Sequence, residues 1–293
     1  MKRFLILITA AMLLLLTGCS AQEAPAQIAA TTLPVYEFTS RLCAGTGLTV
    51  TQLITEEVSC LHDYSLNVSQ VRAAEAAEII VISGAGLEEF MDDILQGKRT
   101  IDSSSDIQLT AGAADHGHEE HTHEDHHHEE DPHIWLSPSN AKMMAHNICA
   151  GLSRQYPLQE EAFHANLELL LADLDALDTY GQQQLADLSC RELITFHDGF
   201  AYLAQRYDLT ILEAVEEESG SEASAAELKH LIEEVRHHRL PAIFTETLGS
   251  TSAARIIAEE TGASVYTLDM AMHGESYFSA MYQNINTLKE ALE

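Results

Sequence analysis

Hydrophobic and polar positions alternate along this chain in blocks that read as strand, helix, strand, twice over. Ile28 to Leu33 has the apolar density of a strand, and Pro34 suits the first turn of a helix that runs to about Ala44, closed by Gly45 and Gly47. Leu48 to Ile54 is β-rich, Ser69 to Ala77 helical, and Glu78 to Ile82 is a run typical of a buried parallel strand. A helix is predicted around Leu87 to Leu95, and Ser137-Pro138 reads as cap and first turn of another reaching Gln155. Glu160 to Leu188 keeps a helical pattern far beyond the usual length, interrupted only by Gly181. The alternation then resumes with strand Glu192 to Phe196, helix Gly199 to Tyr207 and strand Leu209 to Ala214. Ser224-Ala225-Ala226-Glu227 forms a capping box for a helix to His238. Strand Ala242 to Thr245, helix Ser252 to Thr261, strand Ser264 to Leu268 and helix Tyr277 to Leu292 finish the chain. The expected class is α/β, with two lobes, each a parallel sheet flanked by helices, joined by one long linking helix.

The first residues do not belong to that pattern. Lys2 and Arg3 precede an apolar run from Phe4 to Leu16, which is too short for a comfortable membrane span and reads as a secretory signal. The run ends in Leu16-Thr17-Gly18-Cys19, which resembles the bacterial lipobox and makes Cys19 the expected lipidation site. The resulting organisation is a signal peptide over 1–18, a lipidated Cys and tether over 19–27, an N-terminal lobe over 28–156, a linking helix over 157–188 and a C-terminal lobe over 189–293. Cys43, Cys60, Cys149 and Cys190 allow three pairings in an exported chain. Cys43 with Cys60 is favoured because they flank one short connection; free thiols are the alternative, and without a Cys-x-x-Cys a thiolate zinc site is not expected.

Charge narrows the function. Forty-six acidic residues against 15 Lys plus Arg leave a net charge of -31, so the clustered cations that hold nucleic acid are missing. Sixteen histidines point instead to metal. In open parallel sheets, ligands collect beyond the carboxyl ends of strands. His197, Glu246 and Asp269 each lie at such an end, His62 follows the Leu48 to Ile54 strand, and His133 precedes the Pro138 helix. Three imidazoles and a carboxylate from separate loops are therefore expected to converge on one ion. Asp131, Asp198 and Glu246 are placed to accept an N–H from a ligand imidazole and fix its tautomer.

Four segments carry a resemblance. Cys60-Leu61-His62-Asp63-Tyr64, Asp131-Pro132-His133-Ile134-Trp135-Leu136-Ser137-Pro138, Thr195-Phe196-His197-Asp198 and Thr267-Leu268-Asp269 follow, in order, the ligand motifs of the metal-binding lipoproteins that feed ABC transporters for zinc and manganese. The chain resembles this family from about Ile28 to Glu293, and its zinc branch by the acidic His-rich insertion upstream of the second motif. The resemblance implies two α/β lobes with a metal site in the cleft, His62, His133, His197 and Asp269 as ligands, an ABC transporter permease as partner, and attachment to the membrane through an N-terminal lipid. Two departures exist: no Asp/Asn-Pro precedes His62, and Leu-Asp-Met-Ala-Met stands where the family has Leu-Asp-Pro-Leu, with His273 and Glu246 as nearest substitutes for Asp269.

Three nitrogens and one carboxylate suit Zn2+, the expected transported ligand, better than Mn2+, the alternative within the family. The insertion from Asp115 to Asp131 holds seven His, namely His116, His118, His121, His123, His126, His127 and His128, with eight acids and no basic residue. It reads either as a solvated connector or as a weak collector of zinc. His123-Glu124-Asp125-His126-His127 matches a metalloprotease pattern, but charge on every side denies it the apolar-backed helix that chemistry needs. A zinc-dependent hydrolase is thus the rival class and a non-enzymatic, monomeric, extracytoplasmic binding protein the preferred one. No partner nucleic acid is expected.

Overall fold

The computed structural model describes residues 26–58, 61, 64–110, 130–215, 224–249 and 251–293. The signal segment, Cys19, Cys60, His62 and the seven histidines of the insertion lie outside the described residues.

The first sheet is built from β1 (Ile28–Ala30), β2 (Val50–Gln52), β3 (Ile79–Ile82) and β4 (Arg99–Asp102), all parallel, in the order β2-β1-β3-β4. Its helices are α1 (Leu33–Leu42), α2 (Val68–Ala76) and α3 (Asp92–Leu95). The second sheet repeats that order as β6-β5-β7-β8, again parallel, from β5 (Glu192–Thr195), β6 (Thr210–Ala214), β7 (Ala242–Glu246) and β8 (Ser264–Leu268). Around it pack α6 (Ala201–Arg206), α7 (Ala225–His238), α8 (Ser252–Thr261) and α9 (Tyr277–Leu292). Between the sheets run α4 (Pro138–Gln155) and the long α5 (Glu160–Gln184).

Most expected elements stand where the pattern puts them, and α7 begins with the full capping box at Ser224 and Glu227. Three details differ. The strand β4 was not foreseen: only Ile101 of its four residues is buried, so as an edge strand it lacks an apolar signature. The helix expected around Leu87 to Leu95 is a 3-10 turn, Glu89–Met91, followed by a single turn of α3. Ser137 does not cap α4 with its side chain, although Pro138 does open it. Cys43, Cys149 and Cys190 are free thiols, so the favoured Cys43 pairing is not formed. Cys43 is packed in the first lobe's core, where burial pushes its thiol up to about 12.

The linking helix is a packed element. Phe163, Leu167, Leu170, Leu174, Leu177 and Gly181 are buried at helical spacing along α5, which lies against α1, α4 and α9. Gly181 does not break it: a Cβ there would meet the Tyr207 ring at 2.3 Å, so glycine permits the close approach of α5 to the second lobe. One continuous hydrophobic cluster runs through both lobes, and a smaller one around Ile194, Leu231 and Ile257 fills the outer side of the second sheet. Among the described residues no helix is long and apolar enough to cross a membrane.

Candidate metal centre

In a sheet of order 2-1-3-4 the connections leave the first strand in opposite directions, which opens a crevice beyond the carboxyl ends of strands 1 and 3. In the second sheet these strands are β5 and β7. His197 is the second residue after β5, and Glu246 is the last residue of β7. The buried runs that form these strands are what carry both side chains to the crevice, since each strand must end where its apolar residues stop.

His133 arrives from the other side. It precedes the 3-10 turn Ile134–Leu136, whose three residues are fully buried and hold the turn against the core. Its Nε2 stands 3.5 Å from Nε2 of His197. Two nitrogens bound to one tetrahedral zinc ion at about 2.0–2.1 Å each lie about 3.3 Å apart, a spacing close to the one seen here. The tautomer of His133 is set behind the pair. Asp131 Oδ1 accepts the backbone N–H of His133 at 2.9 Å and its Nδ1–H at 2.7 Å, which directs the Nε2 lone pair towards His197. That hydrogen bond is dry, the two side chains being 2% and 0% exposed. On the opposite flank, Glu246 Oε2 lies 3.7 Å from Nδ1 of His197. Burial pushes the Glu246 carboxyl up to about 7.

Asp269 follows β8, as expected, but its Oδ1 accepts the N–H of Ala271 at 2.7 Å, and its backbone is held on both sides by the Asn284 amide. Among the described residues no set of three or more His, Cys, Asp or Glu is grouped to hold a metal ion. The structure therefore brings together His133 and His197, with Asp131 and Glu246 beside them, and does not add Asp269. Asp198 and His273 are half-buried nearby in sequence.

Glu88 and Gly199 carried no signal in the sequence, whereas Trp135 stands in the second motif. Glu88 is buried beyond the ends of β1 and β3, the equivalent crevice of the first sheet, where it accepts from Thr31 Oγ1 (2.6 Å), Ser83 N (2.7 Å) and Gly84 N (3.0 Å), and burial pushes its carboxyl up to about 7. Trp135 meets the His133 ring edge-on, with centroids 5.4 Å apart, and serves as packing. Gly199 lies under the two imidazoles: a Cβ there would stand 2.8 Å from His133 Nδ1 and 2.8 Å from His197 Cδ2. Gly199→Ala is accordingly expected to push the rings apart and weaken metal affinity by about tenfold, the scale of lost ligand support, in a chelator competition. Unchanged affinity would show that the rings have room.

A family model described as ZnuA, zinc-uptake complex component A, periplasmic, matches residues 28–291. The chain belongs to this family. Among its curated relatives is the zinc-binding lipoprotein AdcA of Streptococcus pneumoniae, 30% identical over 315 residues that cover 100% of this chain and 62% of that protein. The chain thus spans 62% of the length of that relative. Two solved structures share the fold. A crystal structure of ZnuA superposes with TM-score 0.78 at 28% identity, covering 92% of this chain and 100% of the other. The Zn(II)-bound ZnuA-like domain of Streptococcus pneumoniae AdcA superposes with TM-score 0.76 at 27% identity, covering 91% and 98%. Both agree with the two-lobed α/β architecture expected from the sequence.

Proposed function

We propose that this chain captures Zn2+ outside the cytoplasm and passes it to an ABC-type importer without transforming it. The observation that carries the reading is the approach of His133 Nε2 and His197 Nε2 to 3.5 Å, from opposite lobes and with Asp131 directing one of them. Family membership and a relative named as a zinc-binding lipoprotein support it. His62 and Asp269 complete the ligand set; Asp269 has a second carboxylate oxygen beyond the one engaged by Ala271. Four protein ligands close the coordination sphere, where catalysis would keep a position for water. The N-terminal lobe is 28–156, the linker 157–188 and the C-terminal lobe 189–293; Cys19 carries the lipid, the protein works as a monomer, and the insertion gathers zinc weakly. Lobe opening is modest. A single core spans both lobes, and Trp135 and Tyr277 are hydrogen-bonded across them.

The test is calorimetric titration of the mature chain with zinc and manganese against a chelator, with and without residues 115–130. One tight zinc site should survive the deletion while total stoichiometry drops. Because imidazoles bind the ion only when deprotonated, affinity should fall as pH drops through about 6.5. Manganese displacing zinc at equal free concentration, or loss of the tight site with the insertion, would overturn the reading.

A further inference from the structure

Thr110, upstream of the acidic insertion, and Asp131, its last residue, meet at one point. Asp131 N–H donates to the Thr110 carbonyl at 2.9 Å, closing a neck between the outgoing and returning segments. From the second lobe, the hydroxyl of Tyr202 on α6 reaches both sides of that neck: it accepts the Thr110 N–H at 3.1 Å and donates to the Asp131 carbonyl at 2.9 Å. A phenol has one proton and can also accept, so this single group ties both segments at once. Tyr202 is 3% exposed; its bond to the Asp131 carbonyl is buried and that from Thr110 N–H part-buried. The residue it holds by the backbone, Asp131, is the one whose Oδ1 receives two hydrogen bonds from His133.

We propose that Tyr202 is a positioning residue for metal capture: by clamping the neck of the insertion it fixes Asp131, and through Asp131 the ring plane and Nδ1–H tautomer of His133. The proposal rests on His133 being a ligand. It assigns to the second lobe a hold, through Asp131, on the first lobe's ligand, so that the relative placement of the lobes and the aim of His133 are set together. Removal of the hydroxyl leaves Thr110 N–H and Asp131 C=O to find other partners, and the short segment from Asp131 to His133 gains freedom.

Tyr202→Phe keeps the ring and its packing while deleting the clamp. In the metal-free full chain, imidazole nitrogen NMR should report a fixed Nδ1–H form of His133 in the wild type and exchange between tautomers in Y202F. Zinc release to a chelator should quicken about tenfold, within the range for lost support of a ligand. Because the effect passes through Asp131, Y202F added to Asp131→Asn should change release little beyond Asp131→Asn alone. An unaltered tautomer signal in Y202F, an unaltered release rate, or effects that multiply in the double variant would each overturn the proposal. His133→Ala separates it from the reading beneath: if that variant keeps full zinc affinity the ligand assignment fails, whereas the tautomer signal of metal-free Y202F still judges the clamp.

Discussion

His133→Ala is expected to weaken zinc binding by two decades or more. A structural zinc site is worth about 10–16 kcal/mol in apparent free energy, so one ligand of four carries about 3 kcal/mol, which is about two decades in affinity. The neighbouring groups do not compensate. Asp131 is fully buried and faces His133 through one oxygen, and its loss of that partner leaves a desolvated carboxylate rather than a substitute ligand. Chelator competition on the folded variant measures the effect, with circular dichroism confirming the fold. Asp131→Ala, which removes the orienting group and keeps the imidazole, should cost tenfold to a hundredfold, roughly the range found for such partners. Affinity retained in His133→Ala would dismiss the pair as a ligand pair.

That experiment is also the measure of what the sequence discloses. Leu193-Ile194-Thr195-Phe196 is an uncharged, apolar-rich run whose four residues are all buried, which reads as a buried strand and puts the polar residue after it, His197, at the strand's carboxyl end. The same logic located Glu246. The Asp131-Pro132-His133 segment was legible as chemistry, but the bond from Asp131 to Nδ1 depends on a turn whose shape is set by the burial of Ile134, Trp135 and Leu136. Glu88 and Tyr202 were illegible for a common reason. Apart from the Thr31 hydroxyl on Glu88, their partners are backbone groups of Ser83, Gly84, Thr110 and Asp131, and backbone carries no side-chain signature. Asp269 shows the converse: its position past β8 was foreseen, while its engagement with the Ala271 N–H follows from a local turn that spacing cannot reveal. The strand β4 escaped because an edge strand with one buried side chain has no period to read.

Trp135→Ala should be the most destabilising single substitution near the site. The indole is fully buried, and its Nε1–H donates to the Met270 carbonyl at 2.7 Å, across from the 3-10 turn to the segment that follows β8. Its own carbonyl accepts the Tyr277 hydroxyl at 2.8 Å, and the Tyr277 N–H is in turn held by Glu37 of α1 at 2.7 Å. Truncation opens a cavity in a core shared by both lobes, at about 3–5 kcal/mol for a large aromatic. The carbonyl of Met270 also loses its donor, which adds about 1–3 kcal/mol if water cannot reach it. Trp135→Phe preserves most of the volume and should show chiefly the second loss. The two variants therefore divide packing from hydrogen bonding, read as shifts in urea midpoint of the metal-free protein. Zinc stabilises only the native state, so saturating metal should recover part of each deficit in proportion to the affinity that remains. A Trp135→Ala protein as stable as the wild type would mean that the lobes are held together elsewhere, and the modest hinge motion argued from their common core would lose its main support.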